Sequence, residues 1–447
     1  MTSPVRRSLA HVIRDAARPL TGAHEDFDPV MALIGDARVV LIGEASHGTH
    51  EFYRIRAEIT KRLIRERGFV AVAAEADWPD AYRVNRYVRG AGTDADATDA
   101  LDGFRRFPQW MWRNADVLDF VGWLREFNDP VPNDARKVGF YGLDLYSLHA
   151  SMAAVLDYLR IVDPAAAKRA QYRYACFEQF GEDPQAYGYA ASYGLAPSCE
   201  REVVEQLVDL RRSAADYAQR DGRLAPDDLF FTEQNARVVR NAERYYRAMF
   251  GSRVSSWNLR DQHMADTLQA LVSFLDRSGS RSKIVVWAHN SHVGDARATE
   301  LGAGGELNVG QLAREQFGPD VVALGFTTHH GTVTAASDWD TPAQRKVVRP
   351  SLPESYEALF HEGPRNFFLD LRTSSAVASA LDDVRIERAI GVIYRPETER
   401  LSHYFSARLR RQFDGVLHYD ETRAVEPLER TGVWDRGEVP ETFPTAL

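Results

Sequence analysis

The sequence predicts an α/β protein with a mostly parallel central sheet, flanked by helices and carrying a long helical insertion or lid. Short apolar runs that end in polar residues recur along the chain, and such runs are typical of strands covered on both faces. A helical pattern separates the first two runs, and the order strand, helix, strand indicates a parallel βαβ unit. A long middle stretch has few clusters of β-branched residues, which favours helices there.

The first βαβ unit follows a helical entry over residues 1–36. Its first strand is Arg38–Glu44, after which apolar residues recur at helical spacing as far as Arg67. Gly68 suits the end of that helix, and Phe69–Glu75 is the second strand. Because the two strands are parallel, we expect Glu44 and Glu75 at the same edge of the sheet.

The remaining elements extend this pattern and divide the chain in three. Residues 76–135 are aromatic and helical in pattern, and Lys137–Asp144 is a third strand. A helix-rich stretch follows, and the sheet resumes with strands at Lys283–His289 and Val321–His330. Further strand candidates are 366–372, 389–395 and 415–419, and residues 434–447 form a tail. The predicted division is a first part of the α/β core, the helical insertion, and a second part of the core, at residues 1–146, 147–280 and 281–447.

Composition excludes some classes of function. The 447 residues are 44% hydrophobic and 27% charged, which is ordinary globular usage and enough for a large core. The net charge of −9 argues against nucleic acid as a partner, because phosphate binding needs a basic surface.

We expect neither a signal peptide nor a membrane span. The N-terminus has no continuous apolar core of a signal peptide, and no apolar run approaches the ~20 residues of a membrane span. Two cysteines, Cys176 and Cys199, indicate neither a disulfide framework nor a cysteine metal site, and we assign them no role. The expected location is the cytoplasm, and we expect no membrane partner. The sequence does not indicate an oligomeric state.

Polar, mostly titratable residues stand at the ends of five predicted strands: Glu44 with His47, Glu75, Asp144, His289 with His292, and His329 with His330. Open α/β sheets bind ligands at the carboxyl ends of their strands, so these groups predict one shared pocket. Taken singly, a residue such as His329, His330 or Asp144 is more often structural than functional. His47 and His289 each belong to a cluster, which favours a role in chemistry.

Known nucleophile and phosphate motifs do not fit the first cluster. Gly43–Gly48 has two residues between Gly43 and Ser46, so it is not a nucleophile elbow, and Ser46 fits a turn or helix cap better. It is not a P-loop and does not continue into a zincin motif. The economical chemistry is activation of water by His47, whose tautomer a neighbouring carboxylate, Glu44 or Glu75, would fix. His289 and His292 would then polarise a carbonyl or protonate a leaving alcohol.

The same residues resemble the erythromycin esterase family of hydrolases. The matching segments run nearly end to end and are Gly43–Phe52 with Arg56, Glu75–Trp78, Phe140–Asp144, Ser256–Met264, Trp287–Val293 and Gly437–Phe443. The resemblance implies hydrolysis of a lactone ester, such as that of a macrolide-like substrate, without a serine nucleophile. It makes His47 the base for water, with support from Glu44 and Glu75, and places Arg56, His289 and His292 along the pocket.

Four further residues in the matching segments are candidate substrate-binding groups, namely Trp78, Asp144, Trp257 and Arg260. Trp78 and Trp257, with Trp110, Trp112 and Trp287, would suit the walls of a wide apolar cleft, and ordinary core packing explains each one equally well. Trp287 lies inside a predicted strand, which favours the core. The expected partner is a small-molecule ester.

Three alternatives stay open at this point. The histidines and glutamates also suit a Zn²⁺ or Mn²⁺ site of a metallohydrolase, although we expect no cofactor. A second alternative is a non-catalytic protein that binds haem or another small molecule. A glycosidase based on Glu44 and Glu75 is weaker, because it leaves the histidine pair unexplained.

Overall fold

The computed structural model describes residues 3–132, 136–220, 226–279, 281–372 and 375–437. Its strands are β1 (Arg18–Pro19), β2 (Val39–Ile42), β3 (Ala71–Asp77), β4 (Gly139–Asp144), β5 (Ile284–Trp287), β6 (Val321–Ala335), β7 (Gln344–Val348), β8 (Asn366–Asp370), β9 (Arg385–Arg388), β10 (Tyr404–Ala407) and β11 (Gly415–Thr422).

The α-helices in the first half of the chain are α1 (Ser3–Ala16), α2 (Asp28–Ile34), α3 (His50–Arg67), α4 (Trp78–Val88), α5 (Ala97–Leu101), α6 (Ala115–Asn128), α7 (Leu148–Val162), α8 (Pro164–Tyr174), α9 (Pro184–Ser192) and α10 (Glu200–Arg220). Those in the second half are α11 (Pro226–Ala248), α12 (Arg253–Leu275), α13 (Asn290–Val293), α14 (Glu300–Ala303), α15 (Val309–Phe317), α16 (Tyr356–Phe360), α17 (Ser375–Ala380), α18 (Glu399–Ser402), α19 (Leu409–Gln412) and α20 (Gly432–Arg436).

Nine of these strands form the predicted central sheet, in the order β1-β8-β11-β6-β2-β5-β3-β4, with β7 attached to β6. β9 and β10 pair antiparallel as a separate two-stranded sheet. The inner strands are parallel: Ile42 lies opposite Trp287 of β5 and Leu324 of β6, and Ala74 of β3 also lies opposite Trp287. Strands β1, β7 and β8 pair antiparallel at the β6–β11 side. The mostly parallel α/β fold is confirmed, and the carboxyl ends of β2, β3 and β5 meet at one edge.

Both faces of the sheet are buried, which explains why its strands are continuous apolar runs. Val40, Ile42 and Trp287 belong to the core on one face, which α3 and α6 cover. Val39 and Leu41 belong to the core on the other face, where α12 contributes residues from Met264 to Val272. The alternation along β2 follows the two-residue period of a strand.

Between β4 and β5, the described residues form helices and no strands. Most of these helices share a separate hydrophobic core, with buried residues such as Leu159, Val203 and Val239. α12 differs from the other helices of this stretch because it packs against one face of the main sheet. A disulfide joins Cys176 to Cys199 in the helical core, which corrects the expectation that the two cysteines have no role.

The prediction of a strand at 389–395 is wrong. This segment makes isolated bridges instead: Ile390 pairs with the loop at Ser46, and Ile393 pairs with Ala336. Its backbone groups are satisfied by that loop, because Ile390 N–H donates to Ala45 O at 2.9 Å and Ile390 O accepts from His47 N–H at 3.3 Å. An apolar run can therefore be buried by bridging a loop rather than by joining a ladder.

At the end of the chain, Trp434 of α20 donates from Nε1 to Thr334 Oγ1 at 2.8 Å. The tail beyond it, residues 438–447, lies outside the described residues, as does most of the matching segment that begins at Gly437. Within the described ranges, none of the helices combines the length and the apolar character needed to cross a membrane.

Candidate active site

The loop after β2 brings Glu44 and His47 together. Glu44 Oε1 lies 2.8 Å from His47 Nδ1, and Glu44 is fully buried. A carboxylate only accepts, so Nδ1 carries the proton and donates it to Glu44. The other ring nitrogen, Nε2, is left as the atom that can accept a proton.

This loop has the required shape because Gly43 lacks a side chain. A Cβ at position 43 would lie 2.1 Å from Asn290 Oδ1, in the space that the Asn290 amide fills. That amide accepts from Phe326 N–H at 3.2 Å and donates to Phe326 O at 2.7 Å. The Asn290 backbone N–H donates to Glu44 O at 2.8 Å, so Asn290 ties the ends of β2, β5 and β6 together.

Arg56 of α3 forms an ion pair with the Glu44 oxygen that does not bind His47. Its Nη1 lies 3.2 Å from Glu44 Oε2, and both side chains are fully buried. The guanidinium also packs on the rings of Tyr53 and Trp287, at 4.5 and 4.7 Å from the ring centroids. Arg56 therefore acts on the carboxylate that holds His47, and its guanidinium contacts Glu44, Tyr53 and Trp287.

Glu75, at the end of β3, is the centre of a second network. Arg260 Nη2 donates to Glu75 Oε1 at 2.7 Å, and the backbone N–H of His289 donates to Glu75 Oε2 at 2.8 Å. Arg260 also binds Asp144 through two hydrogen bonds of 3.0 and 2.6 Å. Glu75 therefore fixes the start of the His289 segment, and Arg260 is shared by two buried carboxylates.

The charges in this network shift the acidity of its members. Burial alone would raise the pKa of Glu75, but His292, Arg260 and His47 outweigh it and hold that pKa well below the usual range. For Asp144, burial is likewise outweighed by Arg260, which lowers the pKa. Both carboxyl groups are therefore ionised at neutral pH.

His289 faces His47 across the site, with 4.8 Å between the ring centroids. Its Nδ1 accepts the backbone N–H of Ser291 at 3.2 Å and lies 2.8 Å from Ser291 Oγ. Burial and the neighbouring His47 lower the pKa of His289 to about 3, so the ring is neutral with its proton on Nε2. This Nε2 is buried, and among the described residues it has no hydrogen-bond partner of good geometry. His289 therefore offers a hydrogen-bond donor beside the proposed base.

His292 lies between two carboxylates. Its Nδ1 is 2.9 Å from Asp261 Oδ1, and its Nε2 is 3.3 Å from Glu75 Oε1. Burial opposes the charged ring, but Asp261 and Glu75 prevail and raise the pKa of His292 to about 9. Arg260 Nη1 lies 3.0 Å from the same Nε2, a contact that suits a neutral ring, whereas a protonated ring donates to Glu75. We favour the protonated ring, because two carboxylates face it.

Trp257 completes this side of the site. Its ring stacks on His292 with the centroids 4.6 Å apart and the planes 6° apart. Its Nε1 donates to Leu307 O at 2.9 Å, which fixes the indole. Trp257, Arg260 and Asp261 all come from the first turns of α12, so this helix supplies one wall of the site.

The structure brings most of the predicted site residues together, but not Trp78. Trp78 is 1% exposed and packs among Tyr141, Phe230 and Phe231 in the core, where it cannot line a cleft. Its Nε1 donates to Phe231 O, so the helical stretch covers it. Trp110 and Trp112 are core residues too, as is Trp287.

The strand-end histidines His329 and His330 belong to a separate group. His329 Nδ1 lies 2.6 Å from Ser351 Oγ, and its ring stacks on His361 at 3.8 Å. The expectation of a single pocket at all five strand ends is therefore too broad. Ser46 contacts Thr49 through its hydroxyl at the start of α3, as a turn residue would.

Sequence reasoning did not single out Asp261 or Tyr53. Asp261 follows Arg260 in the Ser256–Met264 segment, which also holds Trp257. Its place near these two candidate residues was the available signal. Tyr53 lies one helical turn before Arg56, and that spacing places the two side chains on one face of α3.

The family of the chain follows from comparison with known proteins. The model of the family described as Erythromycin esterase matches residues 64–422. The chain belongs to the erythromycin esterase family. The matched range contains Glu75, Asp144, Arg260, His289 and His292, while Glu44, His47 and Arg56 lie just before it. At the level of the family, the chain is a hydrolase of the esterase type.

Curated relatives in the erythromycin esterase family are distant but cover most of the chain. Erythromycin esterase type II of Escherichia coli is 23% identical over 90% of this chain and 94% of its own length. The putative hydrolase YbfO of Bacillus subtilis (strain 168) is 20% identical over 91% of this chain and 89% of its own length.

Solved structures share the fold of this erythromycin esterase family member. A protein from Bacillus cereus superposes with a TM-score of 0.77 at 19% identity, covering 95% of this chain and 99% of the other. A mutant of the erythromycin esterase EreC in its open conformation has a TM-score of 0.64 at 16% identity, covering 92% and 96%.

Most of the acidic and histidine side chains of the site are engaged in ion pairs, which bears on the metal alternative. Both glutamates are paired with guanidinium groups, and both ring nitrogens of His292 lie against charged partners. In the part of the chain that the structure describes, no group of three or more His, Cys, Asp and Glu side chains is arranged to hold a metal ion. The residues present thus fit ion pairs better than a converging ligand set.

Proposed function

We propose that the chain hydrolyses an ester or lactone bond with a water molecule that His47 activates. The observation that carries this proposal is the 2.8 Å hydrogen bond between His47 Nδ1 and Glu44, which leaves His47 Nε2 as a proton acceptor facing His289. A positioned histidine base of this kind contributes roughly 10²–10⁴-fold to a rate.

The reaction needs one proton acceptor and one donor to the developing oxyanion. Water gives a proton to His47 Nε2 and its oxygen bonds to the ester carbonyl carbon, while the Glu44 carboxylate stabilises the resulting imidazolium. The neutral His289 donates from Nε2 to the carbonyl oxygen as negative charge develops there. The carbon–oxygen ester bond then breaks, His47 returns its proton to the departing alkoxide, and the products are a carboxylic acid and an alcohol.

The Glu75 network supports this step from outside. Glu75 holds the backbone N–H of His289, and Arg260 and His292 hold Glu75. Because both nitrogens of His292 are engaged, we assign it the positioning of Glu75 and not proton transfer to the leaving group. Asp144 has the same supporting role toward Arg260.

The substrate class we propose is a lactone of the macrolide type, since a curated relative is named erythromycin esterase type II. In this structure the side chain of His47 is 9% exposed and that of Glu44 is 0% exposed, so a large lactone cannot reach them directly. Another member of the family is known in an open conformation, which supports entry by separation of the walls of the site.

The experiment compares wild type with His47→Ala on erythromycin and on simple nitrophenyl esters. We expect wild type to turn over at least one ester and the variant to lose roughly 10²–10⁴-fold in kcat. The matched control is His330→Ala, another histidine after a strand, which should leave turnover unchanged. Turnover that survives in His47→Ala would show that another group is the base.

A chelation series distinguishes the metal alternative from this proposal. We expect exhaustive dialysis against a chelator to leave kcat unchanged. A loss of turnover that Zn²⁺ or Mn²⁺ restores would instead support the metallohydrolase. Absence of turnover on every ester would favour a binding protein.

A further inference from the structure

Arg56 rests in an aromatic cradle, which we define as the side chains of Tyr53 and Trp287. The guanidinium carbon lies 4.5 Å from the Tyr53 ring centroid and 4.7 Å from the Trp287 ring centroid. All three side chains are essentially without solvent exposure. A cation over aromatic rings is held more strongly when water is excluded, so the burial of this cradle strengthens both contacts.

The cradle matters because polar contacts leave Arg56 poorly fixed. The one ion pair of Arg56 among the described residues is the 3.2 Å contact to Glu44 Oε2. In that same part of the chain, none of its guanidinium nitrogens has a hydrogen-bond partner of good geometry. A buried guanidinium is usually held by paired hydrogen bonds in its plane. Here the aromatic rings take over that task.

The cradle is itself anchored to α3. Trp287 Nε1 donates to Thr60 Oγ1 at 2.9 Å, and Thr60 Oγ1 donates to the backbone oxygen of Arg56 at 2.7 Å. The Trp287 ring also contacts Phe120, with the centroids 4.6 Å apart. Strand β5 is thereby joined to the helical turn that carries Arg56, and Tyr53 comes from the preceding turn.

We propose that Tyr53 and Trp287 are positioning residues of the hydrolase, which hold Arg56 against Glu44 and so keep Glu44 aligned with His47. The inference rests on the proposed role of His47 as base. Both rings contact Arg56, so their effect on His47 passes through Arg56 and Glu44. Tyr53 meets Arg56 through its ring, over which the guanidinium carbon lies at 4.5 Å, while its hydroxyl has no hydrogen-bond partner of good geometry among the described residues.

The test removes the ring and then restores it without the hydroxyl. Tyr53→Leu should lower kcat about tenfold, because a small misplacement of a catalytic group has a large effect on the rate. KM should stay within about twofold of wild type, since ground-state binding is untouched. Tyr53→Phe should restore kcat to within about twofold of wild type, because it keeps the cradle ring.

The matched control is Tyr174→Leu in the helical stretch. Tyr174 is also buried, and its hydroxyl also lacks a hydrogen-bond partner among the described residues, so the control removes a similar ring at a remote position. We expect kcat of this variant to equal that of wild type. Tyr53→Met, which refills more of the space, replaces Tyr53→Leu should the latter not fold.

A second readout does not depend on turnover. The His47 Nδ1 proton, hydrogen-bonded to Glu44, should give a low-field proton resonance that Tyr53→Leu weakens or abolishes and Tyr53→Phe retains. An unchanged resonance and kcat in Tyr53→Leu, or an equal loss in Tyr53→Phe, would overturn the role of the cradle. If wild type cleaves no ester, the proposed function fails, and the resonance alone still decides whether the cradle aligns Glu44 and His47.

Discussion

Arg260→Met should destabilise the protein, and the loss should depend on pH. Arg260 is 14% exposed and makes three charge-assisted hydrogen bonds of 2.6 to 3.0 Å to Glu75 and Asp144. Removing one partner of a buried ion pair costs about 3–5 kcal/mol in the free energy of unfolding, because the remaining charges stay buried. Methionine fills a similar volume, so the change is mainly one of charge.

The melting temperature gives the expected size. Unfolding entropy of about 2.1 cal/mol/K per residue over this chain gives about 0.9 kcal/mol per degree, with the chain taken as one cooperative unit. The loss of 3–5 kcal/mol therefore lowers Tm by about 3–5 °C at pH 8. Differential scanning calorimetry measures this directly.

The sign of the pH dependence follows from Asp144. In wild type Arg260 holds the folded pKa of Asp144 below its ordinary value, so this carboxylate stabilises the fold above its unfolded pKa and loses that contribution in acid. Without Arg260 burial prevails and raises the folded pKa, so the penalty is largest at high pH. As pH falls through the raised pKa, protonation relieves the penalty. The difference in Tm between variant and wild type should therefore shrink from pH 8 to pH 5.

Arg201→Met is the control, because Arg201 is 80% exposed and pairs with Glu202 at the surface. Exposed pairs contribute little to stability, so the Tm of Arg201→Met should stay within about 1 °C of wild type. A Tm of Arg260→Met within that margin at pH 8 would refute the reasoning. So would a deficit of the same size at pH 5 and pH 8.

Two further predictions concern the loop after β2 and the helical stretch. Gly43→Ala should fold but lose most turnover, because its Cβ would displace the Asn290 amide that ties the Glu44 segment to β6. Circular dichroism measures folding and kcat measures turnover. An unchanged kcat would contradict the argument. Cys176 and Cys199 are 23 residues apart, so breaking their bond by Cys199→Ser should cost about 3 kcal/mol, measured as a fall in Tm that a reductant reproduces in wild type. Two free thiols in the denatured, unreduced wild-type protein would show that the bond does not form.

The sequence was informative where strand geometry alone decides position. Apolar runs bounded by polar residues located β2, β3, β4, β5 and β6, and parallel pairing then placed Glu44 and Glu75 at one edge. The same reasoning failed for 389–395, since an apolar run shows that a segment is buried and not which partner takes its hydrogen bonds. It also failed for Trp78, because aromatic residues of a core and of a cleft have the same pattern.

Partners that come from distant parts of the chain could not be predicted. Glu75 and Arg260 are 185 positions apart, and nothing local to either residue names the other. The pairing depends on how α12 leaves the helical stretch and returns to the sheet. The pairing of Cys176 with Cys199 depends in the same way on the packing of the helical core.

The charge balance of the site supports the proposal that His47 accepts a proton. Four buried carboxylates, Glu44, Glu75, Asp144 and Asp261, face three cations, namely Arg56, Arg260 and the imidazolium of His292. The balance is one negative charge while His47 is neutral, and it becomes zero when His47 accepts a proton. Because these carboxylates are buried, that compensation acts at lower dielectric than in water and stabilises the imidazolium more. Without the two arginines, the same groups would carry an excess of three negative charges while His47 is neutral. A base at this position therefore needs both guanidinium groups, although neither contacts the base itself.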